Sequence, residues 1–468
     1  MSVRISPGKR FDTTVPVLIA GAGACGLIAA LAAHDAGAGV LVLEQDRSPS
    51  GSTALSSGFV PASYTRWQEQ AGVIDSPGQM MADLQHKCGG ESDRVLVRAI
   101  ASQCKLTLHW LADSHGIPFE LVDGFLYPGH SAARMHAVPE RTGQGLMARL
   151  LAAARAADID LLCDARVTAL YADESRRVLG VQITRPDGSV EDIGCQALVL
   201  ATSGFGGDPD LVRRHIPEIA GAEYFGHPGN RGDALRWGES LGAATRHLGA
   251  YQGHGSVASP HGVLITWALI MEGGIQVNAA GQRFSNEQAG YSEQAVEVLR
   301  QPGGIAWTVY DERLHRLGLK FEDYRNAHAA GAVRTAKDVP SIAAATGLDP
   351  DALAATFEEI SRCAEGRRAD RFGRDFRAKP PLGRPLFAVR VTGALFHTQG
   401  GLRIDAHAQV CDADDRPLPN LFAGGGAAQG ISGDHVWGYL SGNGLLSAVS
   451  LGAIAGRSAA RSAGAAVP

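Results

Sequence analysis

The sequence predicts an α/β fold: one βαβ domain assembled from two separated stretches of chain, with an α+β segment inserted between them. Three observations predict it. An apolar strand near the start runs into a glycine turn and a small-residue helix. Apolar strands ending in glycines return near residues 197–207 and 420–426. The stretch 251–385 has shorter elements and more Gln, His, Arg and Asp.

The first unit is the most specific. Val15-Pro16-Val17-Leu18-Ile19-Ala20 reads as a strand and Gly21-Ala22-Gly23-Ala24-Cys25-Gly26 as a turn. Residues 27–36 read as a helix, and Val40-Leu41-Val42-Leu43 as a second strand ending at Glu44 and Gln45. Gly21 permits the tight turn, Gly23 lets backbone approach a pyrophosphate, and Gly26 lets helix pack on strand. The helix N-terminus offers free N–H groups to phosphate oxygens. Glu44 can accept from both hydroxyls of an adenosine ribose and repels a 2′-phosphate, which leaves NAD or FAD.

The elements that follow can be read in order. Residues 50–58 are small and polar, a loop able to lie along an extended cofactor. Residues 91–113 carry helical spacing and stop at His115-Gly116-Ile117-Pro118. Arg141-Thr142-Gly143-Gln144-Gly145 opens a helix through about residue 157. Residues 167–171 and 180–184 alternate as strands around a Pro186-Asp187-Gly188 turn. Residues 197–201 are apolar throughout, a buried strand that runs into Thr202-Ser203-Gly204-Phe205-Gly206-Gly207. Residues 341–368 are helical with a break at Asp349-Pro350. Pro380-Pro381 and Pro385 punctuate the chain, strands return at 386–391 and 420–423, and 442–460 form a closing helix. The organisation expected is an N-terminal tail (1–13), a nucleotide domain (14–250 and 386–468) and a substrate-capping domain (251–385).

Bulk properties narrow the function. Gly supplies 59 of 468 residues, well above the usual ~7%, in short runs suited to close backbone contact with a large ligand. A net charge of −5 without a basic stripe points away from nucleic acid and acidic membrane surfaces. No stretch reaches the ~20 apolar residues of a membrane span, and residues 1–14 lack a secretion-signal core. Seven dispersed cysteines without a Cys-x-x-Cys pair read as reduced thiols, with neither a disulfide framework nor a zinc site. A cytoplasmic protein without a metal is expected.

Three further segments carry a resemblance: His397-Thr398-Gln399-Gly400-Gly401-Leu402, Leu421-Phe422-Ala423-Gly424-Gly425-Gly426, and Leu440-Ser441-Gly442-Asn443-Gly444-Leu445. With the first turn and Thr202-Ser203-Gly204, they resemble the fumarate reductase/succinate dehydrogenase flavoprotein superfamily, which includes the 3-ketosteroid dehydrogenases. The resemblance runs from about residue 14 to 460. It implies FAD, a Rossmann-type FAD-binding domain with a three-layer sheet, and an inserted α+β cap. It implies cofactor contacts at Gly21, Gly23, Ala24, Cys25, Gly26, Glu44, Gln45, Ser52, Thr53, Ser57, Gly58, Val167, Thr202, Gly204, Gly425, Gly426, Asn443, Gly444 and Leu445. Covalent members carry a histidine where Ser52 stands, so FAD is expected to be non-covalent. Gly426 replaces a side chain that many members place on the ribitol.

Fumarate reductases bind a dicarboxylate with two arginines and two histidines. One arginine lies five residues past the Asn of an Asn-Glu pair. Here the pair is Asn286-Glu287 and the residue is Tyr291. The other arginine precedes the last helix, and the matching residue here is Tyr439. A guanidinium fork for a carboxylate is therefore lost. The Gly438-Tyr439-x-Ser441-Gly442 pattern instead resembles the ketone-desaturating branch. There a proton leaves the carbon alpha to a carbonyl, a hydride passes between the beta carbon and flavin N5, and a donor stabilises the enolate-like transition state. The resemblance makes Tyr439 the carbonyl donor, Tyr291 the proton-transfer group and Ser441 a relay, with the two tyrosine roles exchangeable.

His397 matches one histidine of fumarate reductases; it either polarises substrate or closes a strand turn. His254 roughly matches the other. His435 and Trp437, in a short insertion, either wall the substrate pocket or shape their loop. Arg231-Gly232-Asp233 reads as a structural helix start. The function expected is an FAD-dependent CH–CH oxidoreductase of a cyclic or 3-ketosteroid-like ketone. Direction is open, and electrons pass to an external acceptor because no haem or iron–sulfur motif is present. The alternatives are a soluble fumarate-reductase-like reductase of an unsaturated acid and a flavin amine or amino-acid oxidase.

Overall fold

The computed structural model describes residues 2–122 and 126–465. Residues 1, 123–125 and 466–468, which fall in the expected tail and nucleotide-domain stretches, lie outside the described residues. The chain divides into two compact units. The first comprises Met1–Ile216, Phe225–Tyr251 and His397–Pro468; the second comprises Pro217–Tyr224 and Gln252–Phe396.

In the first unit, strand Thr13–Ala20 lies inside a nine-stranded sheet. Its residues Val17, Leu18, Ile19 and Ala20 are buried, as befits a strand covered on both faces. Val40–Leu43 and Val190–Leu200 flank it in parallel. Asp160–Leu162 extends the sheet beyond Val40–Leu43. Val190–Leu200 serves two partners. Its start pairs antiparallel with Val178–Thr184, which turns back on Arg166–Ala172. Its end, at Leu198, Val199 and Leu200, pairs in parallel with Pro417–Ala423.

Residues 1–13, expected as a tail, contribute a strand instead: Ser2–Ile5 pairs in parallel with Arg166–Ala172. Lys9 secures the segment, its ammonium 2.8 Å from Asp192 and 4.2 Å from the Tyr171 ring centroid. A four-residue strand with one or two apolar side chains gives too little periodicity to be read from sequence. The loop expected at 50–58 also contains a helical turn, Gly51–Ala54.

Helix Ala24–Asp35 is buried continuously from Ala24 to Ala33, the mark of a helix covered on every side. The closing helix Asn443–Ser462 lies along it. A Cβ at Gly452 would stand 2.6 Å from the Cys25 carbonyl oxygen, and one at Gly456 would overlap that of Ala29. Helix Arg94–His115 starts on Asp93, whose carboxylate accepts from the N–H groups of Val95 and Leu96. It ends at Gly116 in the left-handed region. Nearby, the fully buried Arg134 guanidinium donates to both oxygens of Asp75, at 2.7 and 2.8 Å, and to Asp83.

The second unit holds a seven-stranded sheet ordered Val263–Leu264, Tyr251–Ala258, Leu386–Thr398, Ile305–Asp311, Ile275–Val277. Glu223–Tyr224 and Val333–Ala336 also pair with Leu386–Thr398. Alternation along Leu386–Thr398 builds two cores. Phe387, Val389 and Val391 face a cluster with Tyr310, Leu314 and Tyr324, while Leu386 and Ala388 face one with Ile342, Leu353 and Ile360. The expected boundary at 385/386 therefore falls at 396/397. Residues 386–392 pair with Ile305–Asp311, which keeps most of this strand with the sheet of the second unit.

Replacing Arg134 with Ala leaves Asp75 buried without its cation, a loss of about 3–5 kcal/mol. Arg134→Ala is expected to lower the urea midpoint sharply. An unchanged midpoint would show that the pair carries no such share of stability.

Candidate active site

The turn after Thr13–Ala20 opens one wall of a cleft in the first unit. Gly21 has φ +102°, and a Cβ there would stand 2.5 Å from the Ala201 carbonyl oxygen, so only glycine fits. A Cβ at Gly26 would overlap the Gly21 carbonyl, which seats the helix against the strand. The Glu44 carboxylate accepts from Ala22 N–H at 2.9 Å and from Asp46 N–H at 3.0 Å. Each oxygen keeps a lone pair for a ribose hydroxyl. Thr53 Oγ1 accepts from Ala24 N–H at 3.2 Å.

Of the residues expected to hold cofactor, Gly21, Gly23, Ala24, Cys25, Glu44, Gln45, Ser52, Thr53, Val167, Thr202, Gly425 and Gly426 line this cleft. Gly26 lies behind the turn. Ser57 and Gly58 are not in the lining; Gly58 packs against the Thr142 carbonyl, which a Cβ would approach to 2.6 Å. Gly204 N-terminal to Phe205 sits against Thr398, whose Oγ1 accepts from Phe205 N–H at 3.2 Å. Burial pushes the Cys25 thiol up to about 12, so it is no thiolate.

Another wall was not read from the sequence. Ser52 Oγ accepts from His227 N–H at 3.1 Å and from Asn230 Nδ2 at 2.8 Å. His227 Nε2 lies 2.8 Å from Asp46 Oδ2. Gly229, Asp233 and Trp237 complete this side, so Arg231-Gly232-Asp233, read as structural, supplies Asp233 to the cleft. Burial raises the Asp233 carboxyl against the opposing pull of Arg166 and Arg236. The one available signal was the turn-forming run at 228–233.

A second cluster of the first unit gathers at the start of the closing helix. His397 and Tyr439 meet edge to face, ring centroids 5.6 Å apart. His130 Nε2 donates to the Ser441 carbonyl oxygen at 2.9 Å. Asn443, Gly444 and Leu445 open the helix here, outside the cleft lining. Burial holds His397 and His130 neutral, each near 4, as it does His136. Burial, reinforced by neighbouring Tyr439, lifts the Tyr127 phenol above its ordinary value.

Tyr291 and His254 belong to the second unit. Tyr291 is buried at the first position of helix Tyr291–Leu299. Its ring stacks on His254 at 4.9 Å and 22°, and meets Trp267 edge-on at 6.2 Å. Phe396 covers another side of His254 at 5.5 Å. Burial pulls His254 down to about 3. Glu287 of the Asn286-Glu287 pair lies under Arg283 at 2.8 Å and Arg374 at 3.2 Å. His435 and Trp437 stack on each other at 5.1 Å. Trp437 packs over Gly89, and its surroundings are anchored by Gly433 N–H on Ser92 and Asp434 N–H on Glu91. They shape this loop at the surface of the first unit and do not line the cleft.

Among the described residues, no cluster of His, Cys, Asp and Glu could hold a metal, and no helix is long and apolar enough to cross a membrane. The residues fit a dinucleotide. Thr202 Oγ1 and Trp237 Nε1 are buried in the cleft wall without a protein partner, beside glycine backbone and an acid placed for a ribose.

Glycine turn, ribose acid and cleft define an adenine-dinucleotide site of the FAD-dependent oxidoreductase class. The chain belongs to the FAD binding domain family, which matches residues 16–445. FAD is its cofactor. It is 28% identical to an NADH:fumarate oxidoreductase of Klebsiella pneumoniae over 96% of this chain and 48% of that protein, so it spans about half of that relative. It is 26% identical to a 4-oxocyclohexanecarboxylate 2-dehydrogenase of Sinomonas cyclohexanicum over 96% of this chain and 93% of that one. A solved 3-ketosteroid-Δ4-(5α)-dehydrogenase from Rhodococcus jostii, in complex with 4-androstene-3,17-dione, matches with a TM-score of 0.79 and 27% identity. That match covers 98% of this chain and 100% of the other.

Two outcomes are expected. Glu44→Ala removes acceptors for two turn amides, each worth about 1.5–3 kcal/mol as a charge-assisted bond, and should weaken FAD retention at least tenfold in a flavin-release fluorescence titration. His130, His136, His254 and His397 are neutral when folded but titrate near ~6.5 when unfolded. The unfolded chain therefore binds more protons from about pH 6.5 down to about pH 4, and stability falls across that window. Denaturant midpoints flat from pH 7 to pH 4.5 would contradict this.

Proposed function

We propose that the protein moves two hydrogens across a CH–CH bond adjacent to a carbonyl, acting on a cyclic or 3-ketosteroid-like ketone. What carries this reading is the pair of tyrosines, Tyr291 and Tyr439, at the positions that the resemblance to fumarate reductases matches to carboxylate-binding arginines. Tyr439 is set against the neutral His397, and Tyr291 against the neutral His254. The two buried arginines of the second unit, Arg283 and Arg374, are committed to Glu287 and Asp370. Neutral donors suit a ketone oxygen, whereas a dicarboxylate calls for guanidinium forks.

FAD, when bound, supplies the two-electron hydride acceptor or donor. Tyr439 donates a hydrogen bond to the carbonyl oxygen, with His397 as a second donor, and so stabilises the enolate-like charge. Tyr291 exchanges the proton at the alpha carbon, and Ser441, two residues past Tyr439, is the candidate relay on the side of the closing helix. FAD is held without a covalent link, because Ser52 stands where the resemblance places the histidine of covalent members. Electrons pass to an external acceptor. Seven free cysteines support a reducing, cytoplasmic setting.

A second reading, reduction of an enone or unsaturated acid, runs the same residues in reverse. It is favoured by the neutral His254 that stacks on Tyr291. A neutral imidazole does not itself ease ionisation of the stacked phenol, which suits a proton donor better than a base.

The test is anaerobic flavin bleaching. Cyclohexanone-type or steroid ketones are expected to bleach the oxidised protein. Reoxidation of the reduced protein by fumarate-type acids, with no response to ketones or enones, would defeat the ketone reading. Tyr439→Phe should cost about 10²–10⁴ in kcat while the protein stays yellow.

A further inference from the structure

A directional chain of hydrogen bonds ends on His397. Asn443, buried at the first position of the closing helix, donates from Nδ2 to Ser432 Oγ at 2.9 Å. Ser432 Oγ donates to Gln399 Oε1 at 3.0 Å. The opposite end of that amide, Gln399 Nε2, lies 2.9 Å from His397 Nδ1. Asn443, Ser432 and Gln399 are all at least nine-tenths buried, and the Gln399 backbone is fixed on both sides, its N–H on Ala250 and its carbonyl under Gly430 N–H, each at 2.8 Å.

A carboxamide cannot conduct in both directions at once. With Oε1 accepting from Ser432, the Nε2 end can only donate, so His397 Nδ1 must present a lone pair. The imidazole proton then sits on Nε2. The competing arrangement, Nδ1–H to the Thr398 carbonyl, is 3.4 Å long, outside the usual N–H···O range. Nε2 is at the edge of the ring that faces Gly444, where a Cβ would stand 2.7 Å away. A side chain at 444 would collide with that edge.

We propose that Gln399 is a positioning residue: the relay Asn443–Ser432–Gln399 locks His397 as its Nε2–H tautomer, making it a fixed hydrogen-bond donor to the substrate oxygen and removing it from any role as base. The assignment of the substrate oxygen as the recipient rests on the function proposed above; the tautomer does not. Its low affinity for a second proton, near 4 because of burial, keeps the ring in the neutral form that the relay orients. Proton transfer at the alpha carbon is thereby left to the phenols.

The test is two-bond 1H–15N correlation NMR on the yellow holoprotein with labelled histidine, the His397 signals being assigned by their loss in His397→Asn. The Nε2–H pattern is expected in the parent protein. Gln399→Glu places a carboxylate acceptor on Nδ1 and should move the proton to Nδ1, with kcat falling about 10²-fold and KM changing far less. Ser432→Ala leaves Gln399 unoriented and should give mixed tautomer signals. If Gln399→Glu does not fold, Ser432→Ala carries the test alone. An Nδ1–H pattern in the parent, or a tautomer unmoved by the variants that fold, would overturn the relay. Because the spectra need no substrate, failure of every ketone to bleach the flavin would count against the ketone assignment alone.

Discussion

Backbone pressed against backbone at the end of strand Thr13–Ala20 is the constraint on which the cofactor cleft depends. Gly21 meets Ala201, Gly26 meets Gly21, and Gly452 and Gly456 bring the closing helix onto Cys25 and Ala29. Side chains at these points would push helix from strand by more than close packing tolerates. Glu44 then ties the turn to the second strand through Ala22 and Asp46. The cleft follows as the space left over when these segments close on one another, walled by glycine and rimmed by N–H groups.

The chemistry assembled in the two units is uncharged in its histidines. His397 and His254 are both neutral because burial outweighs anything that would stabilise their cations, and each keeps company with a tyrosine. Formal positive charge, in Arg134, Arg283 and Arg374, is spent in buried ion pairs that hold loops. Such a division is consistent with the ketone reading proposed above, in which a neutral oxygen meets donors placed in advance.

Much of this was legible in the sequence because it depends on local order. Strand, glycine turn, helix and acid are contiguous, so Gly21, Gly23, Glu44 and Thr53 could be placed from the chain alone. The closing helix and the Asp349-Pro350 break were readable for the same reason. What escaped reading depends on distant pairing. The Ser2–Ile5 strand is defined by Arg166–Ala172, and the wall built by His227 and Asn230 is defined by Ser52 and Asp46. Strand Leu386–Thr398 was cut short because proline punctuation marks where it begins but no residue marks where it leaves its sheet. Gln399 had no sequence signal: an amide earns its role from the two neighbours that polarise it.

The embrace of the first and closing helices also sets an order of assembly. Gly452 meets the Cys25 carbonyl and Gly456 that of Ala29, and every such contact waits on the stretch that completes it. The second unit, contained within residues 217–396, can gather its sheet while the chain is still being made. The dinucleotide cleft cannot, since Gly424, Gly425, Gly426 and Ala448 of its wall come after that unit has been synthesised. Until the closing helix is made, the apolar flank of Ala24–Asp35 lacks the partner that covers it in the folded chain. Uncovered apolar helices of this kind are the surfaces on which incompletely folded chains aggregate.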